Sequence, residues 1–356
     1  MRGRVGAVLC AIACASACAV DDPPAKGYEG PPIPWAYAPF PAVVDPADNP
    51  RTDAKISLGN KLFYDPILSG DKAVACATCH SEIWGMADGL SVSIGVDGVG
   101  PTGPGRTGPN RTTRNALTLW NAALRADLFW DGRAHALEEQ ALMPLEQPVE
   151  MDLAPDDAAA RVASIPAYAA LFEEAFPGEP ITQRTIAKAL AAFERTILSN
   201  RSPYDHYVDG DEGAMTPKQL RGMQRFADAG CDACHAPPLF EGRSFVTRFT
   251  SDDEGRAAIT QDPADRGAFR VPTLRNARET GPYFHDGSVA TLDEAVKREF
   301  ALQVANGESP PLDDAAIADL TAFIRDALMD ATHAPSRPLT VPSGLDVPVD
   351  GFRIPR

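Results

Sequence analysis

Cys76-Ala77-Thr78-Cys79-His80 decides how this chain is read, because the pattern returns as Cys231-Asp232-Ala233-Cys234-His235. Two cysteines separated by two residues, with a histidine directly after, form the attachment signature of c-type haem. Each thiol adds to one haem vinyl group, and the adjoining imidazole becomes the proximal ligand of the iron. One such pentapeptide alone is also consistent with a redox dithiol or half a zinc site. A second complete copy in the other half of the chain favours two covalent c-type haems. The cysteine inventory agrees. Four of the seven cysteines belong to the two motifs, and Cys10, Cys14 and Cys18 sit at the N-terminus, which leaves none for a disulfide.

Residues 1–18 read as an export signal. Arg2 and Arg4 supply a positive start and Val5 to Ala17 a short apolar run, too short to span a bilayer. Ala15-Ser16-Ala17-Cys18 resembles a lipobox, which would leave a lipid anchor on Cys18. Ordinary cleavage at a nearby Ala-x-Ala is the alternative. Both readings place the mature protein in a periplasmic or exported, oxidising setting.

The 356 residues suffice for two domains. A formal net charge of −16 argues against nucleic acid as a partner and would suit a basic protein. Residues 19–50 are proline-rich and read as a tether, with Trp35, Tyr37 and Phe40 as docking points. Asp53 is the expected N-cap of a helix carrying Ile56, Leu58, Leu62 and Phe63, stopped at Asp65-Pro66. From Met86 to Asn110 the chain is rich in glycine and proline, a long loop of the functional or mobile kind. Helices are expected over 134–143, 155–164 and 182–199, where Ile186, Leu190, Phe193 and Ile197 recur on one face. Further helices are expected from Thr216-Pro217 to Gly230, over 291–300 and over 312–329, with 335–356 as a tail. The class is mainly α. Two cytochrome c-like domains with long loops, 51–205 and 206–334, would each carry one covalently attached c-type haem.

Several further segments occur in a set order: Leu58 to Asp65, Arg114-Asn115, Phe129-Trp130-Asp131-Gly132-Arg133 and Gln140 through Met151. Val271-Pro272-Thr273-Leu274-Arg275-Asn276 and Pro282-Tyr283-Phe284-His285-Asp286-Gly287 follow the second haem motif. On these residues the chain resembles the bacterial di-haem cytochrome c peroxidases and their MauG-type relatives. The resemblance implies that the N-terminal haem, on His80, reacts with hydrogen peroxide and that the C-terminal haem, on His235, stores electrons. It implies Glu150 as distal acid–base, Gln140 as distal glutamine and Trp130 as an aromatic relay between the haems. Asn115, Thr280 and Pro282 fall on an inter-haem calcium site. Taken alone, Glu150 is a solvated charge, Trp130 a core residue, and Asn115 and Thr280 loop caps.

Two departures bear on function. No histidine occurs between Ser81 and Ala134, so the first haem is expected to be open without the reductive activation that many family peroxidases need. At the second haem, the position of the distal Met or Tyr falls on Glu299. Either Glu299 ligates, or Met215, Met223 or Met329 substitutes, or the site is open, and loss of an axial methionine should lower the potential. His135, His206 and His333 are expected at the surface, and His285 as structural. The leading expectation is an exported di-haem peroxidase fed by a cytochrome c or cupredoxin. Its rivals are a MauG-type enzyme that oxidises aromatic residues of a partner protein, and a non-catalytic electron-transfer cytochrome. The family resemblance also suggests a homodimer.

Overall fold

The computed structural model describes residues 40–332 and 334–351. The signal, Cys18, Trp35, Tyr37 and His333 lie outside the described residues. Helices dominate these residues, and the only sheet among them is a two-stranded ribbon. In chain order the helices are α1 Asp53–Tyr64, α2 Cys76–Cys79, α3 Leu137–Gln140, α4 Met143–Glu146, α5 Pro155–Ala163 and α6 Pro166–Ala175. They continue with α7 Gln183–Glu194, α8 Pro203–Val208, α9 Pro217–Asp228, α10 Ala257–Thr260, α11 Leu292–Ala305 and α12 Asp314–Ala322. Strands β1 Phe245–Val246 and β2 Phe269–Arg270 pair antiparallel, with Phe245 opposite Arg270. No helix among the described residues is long and apolar enough to cross a membrane.

Local chemistry accounts for the helix ends. Thr52 caps α1, one residue earlier than expected, by accepting from the Lys55 amide. Thr182 and Thr216 open α7 and α9 through capping boxes. Residues 134–143 do not form one helix. Ala134 pairs with Leu128 in an isolated bridge, and Pro144, which has no amide hydrogen, prevents α3 from running through to Glu146. Past Glu194 the chain leaves helical geometry, yet Ile197 stays buried, and its carbonyl accepts from the Asn121 amide at 3.0 Å. After α12 the chain makes a single π-helical turn, Phe323–Ala327.

One construction is used twice. In the first half α1 crosses α7 at Gly59, where an added Cβ would fall 2.0 Å from the Ala189 carbonyl oxygen and 2.8 Å from Phe193 Cβ. In the second half α9 crosses α12 at Gly222, where an added Cβ would fall 2.0 Å from the Asp319 oxygen and 2.8 Å from Phe323 Cβ. Only glycine lets two helix backbones approach this closely. In each, the first helix of the crossing is followed by one Cys-x-x-Cys-His motif, and the crossing anchors its own apolar core. Leu58, Phe63, Phe172, Leu190 and Phe193 belong to the first, and Tyr204, Phe226, Phe240, Leu320 and Phe323 to the second. The second core therefore already includes residues of α8.

The segment 335–351 lies along the first half. Val341 is buried in the first core, Ser343 Oγ donates to Asp65 at 2.6 Å, and Arg337 donates to Glu82 at 2.9 Å while pairing with Asp350. The Gly351 amide reaches the Thr102 carbonyl at 2.8 Å.

Candidate haem and peroxide site

Both motif histidines are held in the same manner. After His80 the chain turns back through a bridge between Ser81 and Ala87, and Met86, in the left-handed region at φ 60°, presents its carbonyl 3.1 Å from His80 Nδ1. After His235 a bridge joins Ala236 to Glu241, and Phe240, at φ 50°, presents its carbonyl 3.3 Å from His235 Nδ1. The Pro272 carbonyl lies 3.0 Å from the same nitrogen. An Nδ1–H held by a backbone carbonyl leaves Nε2 as the free ligand atom, the arrangement typical of metal-bound histidine. Burial lowers the basicity of both rings, that of His235 to about 4, so each stays neutral and able to ligate.

The four cysteines are free, and burial pushes the Cys76 and Cys231 thiols up to about 12 and raises Cys79 as well. Around Cys231, Cys234 and His235 lies a cavity with about 1520 Å³ of free space, counting the part open to solvent. Its wall is mostly apolar, with Phe226, Leu274, Val296, Phe300 and Ile324. An apolar cavity with both thiols and a neutral imidazole in its wall fits a covalently held haem.

On the N-terminal side, Glu150 sits in a segment pinned from two directions. Its carbonyl accepts from the Val96 amide at 2.9 Å, and the Met151 carbonyl accepts from Gly70 at 2.7 Å. Gly95 lies so close that an added Cβ would fall 2.2 Å from the Val149 oxygen and 2.3 Å from the Glu150 oxygen. The long glycine-rich loop is thus strapped to the Glu150 segment. Within the loop, buried Arg106 donates to the carbonyls of Ile94, Gly95 and Gly100. The Glu150 side chain is half-buried. Burial raises its pKa above the ordinary carboxylate value, partly offset by the charge of Arg133. Its charge also raises the pKa of the Cys79 thiol, so carboxylate and first motif share one electrostatic environment. Gln140 is the last residue of α3 and half-buried.

Trp130 is buried in the wall of the His235 cavity. Its Nε1–H donates to the Asn115 carbonyl at 2.9 Å, and its ring meets Phe269 and His285 edge-on, both at 6.4 Å. His285 stacks on Phe269 at 3.8 Å and lies 3.1 Å from Ser251 Oγ, a packed residue. Asn115, Thr280 and Pro282 line the same cavity. The Asn115 side-chain amide donates to the Leu90 carbonyl at 2.8 Å. Glu299 also lines it, with its carboxylate ion-paired to Arg248 at 2.7 Å. Among the described residues lining the cavity there is no methionine. Met215 and Met223 belong to the second core, and Met329 lines a different cavity. His135 is exposed and pairs with Asp127; His206 is also exposed.

Several residues of this site escaped sequence reading. The Met86 and Phe240 carbonyls act through the backbone, which carries no side-chain signal. Gly95 stood inside a run of glycines with nothing to single it out. Arg270, in the wall of the His235 cavity, lies just before Val271-Pro272-Thr273, and nothing in the sequence sets it apart from other charged residues.

Fold and site together define a mainly helical protein with two Cys-x-x-Cys-His motifs, each with its histidine Nδ1 held by backbone carbonyls. The family model for di-haem cytochrome c peroxidase matches residues 53–213. The cytochrome c peroxidase of Escherichia coli (strain K12) is 38% identical over 286 residues, 77% of this chain and 58% of that protein's length. The methylamine utilization protein MauG of Methylorubrum extorquens is 39% identical over 276 residues, 76% of this chain and 74% of that protein. Among solved structures, a MauG-like protein associated with microbial copper homeostasis superposes with a TM-score of 0.71 at 31% identity, covering 83% of this chain and 95% of that one. The chain belongs to the family of di-haem cytochrome c peroxidases and MauG proteins.

Proposed function

We propose that this chain is an exported di-haem peroxidase that reduces hydrogen peroxide at the His80 site with electrons taken in through the His235 site. Cys76 and Cys79 would hold one haem with His80 beneath it, and Cys231 and Cys234 the other with His235. The observation that carries the reading is Glu150, a half-buried carboxylate of raised pKa, pinned by Val96 and Gly95 beside the first motif. When bound, haem supplies the redox chemistry, passing on electrons singly and delivering two in all to peroxide. The balance is one peroxide, two electrons and two protons giving two waters. Glu150 takes the proton from one peroxide oxygen and returns it to the other, which leaves as water; such a positioned group is worth about 10²–10⁴-fold in rate. Gln140 would orient the peroxide, and Trp130 would relay electrons from the His235 side. Asn115, Thr280 and Pro282 would offer neutral oxygens to a calcium ion.

A second reading keeps the peroxide chemistry and directs it at aromatic residues of a partner protein, as in the MauG branch. The cavity observation favours it, since no methionine reaches the His235 site and Glu299 stands paired with Arg248. Electron paramagnetic resonance of the as-isolated ferric protein tests the shared part. A high-spin signal beside a low-spin one, both lost on adding peroxide, is expected. Two low-spin signals indifferent to peroxide would leave an electron carrier. Rapid peroxide-dependent oxidation of reduced cytochrome c or a cupredoxin then selects the peroxidase, and negligible turnover selects protein oxidation.

A further inference from the structure

Arg270 carries a buried charge that is weakly held: its Nε donates to the Phe129 carbonyl at 3.4 Å. It is 4% exposed, and neither Nη1 nor Nη2 has a hydrogen-bond partner. Glu241, the nearest carboxylate, is 3.8 Å from Nη1, too far for a hydrogen bond. That carboxylate is already engaged by Arg125, whose Nε donates to it at 3.0 Å. Arg125 spends its remaining nitrogens on the Thr118 and Trp120 carbonyls, at 2.9 and 2.8 Å. Two buried guanidinium groups therefore share one buried carboxylate, which leaves a net positive charge in the wall.

A buried cation so weakly partnered is unfavourable, and burial pulls the Arg270 pKa down to about 9, with the charge of Arg125 adding to the effect. Both β2 and the Trp130 strap fix the group in place. Phe245 opposes Arg270 across the ribbon, and the Arg270 amide donates to the Trp130 carbonyl at 2.8 Å. Arg270 is among the residues that line the cavity containing Cys231, Cys234 and His235. The other cation in that wall, Arg248, is already paired with Glu299 and Glu308.

We propose that Arg270, backed by Arg125 and Glu241, is the receptor for a propionate carboxylate of the haem attached at Cys231 and Cys234, and that it raises the reduction potential of that haem. A guanidinium offers two parallel donors that match a carboxylate, and a fixed positive charge in a poorly polarisable wall favours the reduced, more negative form of the cofactor. The inference rests on the reading that the second motif carries haem.

The test uses the full chain matured with c-type haem, with covalent haem counted by mass and the two potentials resolved by spectroelectrochemistry. Arg270→Gln is expected to lower the potential of the His235 haem and leave that of the His80 haem in place. Glu241→Gln, which removes the offsetting negative charge, is expected to raise it. Opposite signs from two neighbouring substitutions are not produced by a merely structural role. Where Arg270→Gln fails to mature, Arg270→Lys decides: the propionate bending modes in its resonance Raman spectrum should shift from wild type. Two haems per chain with an unmoved potential, shifts of one sign, or unchanged propionate modes would overturn the proposal. A wild-type chain lacking the second covalent haem would instead overturn the reading on which it rests.

Discussion

The indole Nε1–H of Trp130 donates to the backbone carbonyl of Asn115 at 2.9 Å, which ties a buried aromatic ring of the cavity wall to the segment that closes the glycine-rich loop. The Asn115 amide in turn donates to the His285 carbonyl at 2.7 Å. Ring, loop and the segment after the second motif are thereby locked into one arrangement. For a relay residue such locking matters, because the rate of transfer depends on fixed distance and orientation.

Trp130→Phe keeps an aromatic ring but removes this donor and leaves a buried carbonyl without its partner, at a cost of about 1–3 kcal/mol. Haem content should be retained. Stopped-flow mixing of the reduced protein with peroxide should show slower oxidation of the His235 haem, while the first reaction with peroxide keeps its rate. An unaltered second phase would remove Trp130 from the relay.

Gly95 offers a way to move Glu150 without touching its chemistry. An added methyl would collide with the Val149 and Glu150 carbonyls, and overpacking of this kind costs about 1–3 kcal/mol. Gly95→Ala is expected to displace the carboxylate and cut peroxide turnover by at least about tenfold, short of the loss of about 10²–10⁴-fold expected for removing the group outright. Circular dichroism and haem count should remain as in wild type. Full turnover in this variant would show that the position of Glu150 is not critical.

The pH profile follows from the same carboxylate. In the proposed reaction Glu150 acts first as a base, so it must be ionised. Burial raises its pKa and the Arg133 charge lowers it. The acid limb of the peroxide rate should therefore lie above the pH at which a solvated glutamate ionises, near 4.3. In Arg133→Gln the lowering influence is lost, and the limb should move to still higher pH. Movement to lower pH would mean that another group sets the limb.

Glu194, at the end of α7, is buried at 4% exposure, and burial pushes its pKa to about 8. Oε2 has no hydrogen-bond partner. In the unfolded chain this group ionises near 4.3, so between that value and about 8 the unfolded state loses a proton that the folded state retains. Its contribution to stability is complete below about pH 4.3 and falls away as pH rises to about 8. Glu194→Gln should remove this slope. The variant should unfold at higher temperature than wild type at pH 8, by an amount corresponding to more than about 1 kcal/mol, and the difference should shrink towards pH 5.

What the sequence disclosed and what it withheld divide along physical lines. The two haem motifs were legible because the chemistry itself requires the spacing of Cys76, Cys79 and His80. The caps at Thr182 and Thr216 are local too. Pro144, one residue past the helix expected over 134–143, carried enough information to show that this helix could not run on to Glu146, since proline has no amide hydrogen. By contrast, the positive charge of Arg270 has meaning only once Arg125 and Glu241, distant in sequence, are folded against it. The place of 335–351 was equally hidden, because its ties to Asp65 and Glu82 span more than 250 residues.

Gly59 and Gly222 test whether the two halves share one construction principle. Each occupies a crossing where an added Cβ would meet a facing backbone carbonyl at 2.0 Å, and backbone cannot rotate away as a side chain could. Alanine ordinarily favours helix over glycine by about 1 kcal/mol, so propensity alone predicts that Gly59→Ala and Gly222→Ala stabilise α1 and α9. The crossing predicts the reverse, with overpacking costs of about 1–3 kcal/mol exceeding that gain. Each substitution should also act on its own half. Gly59→Ala should loosen the His80 site, read as a change in its absorption and earlier melting of that haem environment, and leave the His235 haem intact. Gly222→Ala should do the converse. Stabilisation by either alanine, or equal loss at both haems from one substitution, would mean that the helices can slide apart and that the paired crossings do not define independent units.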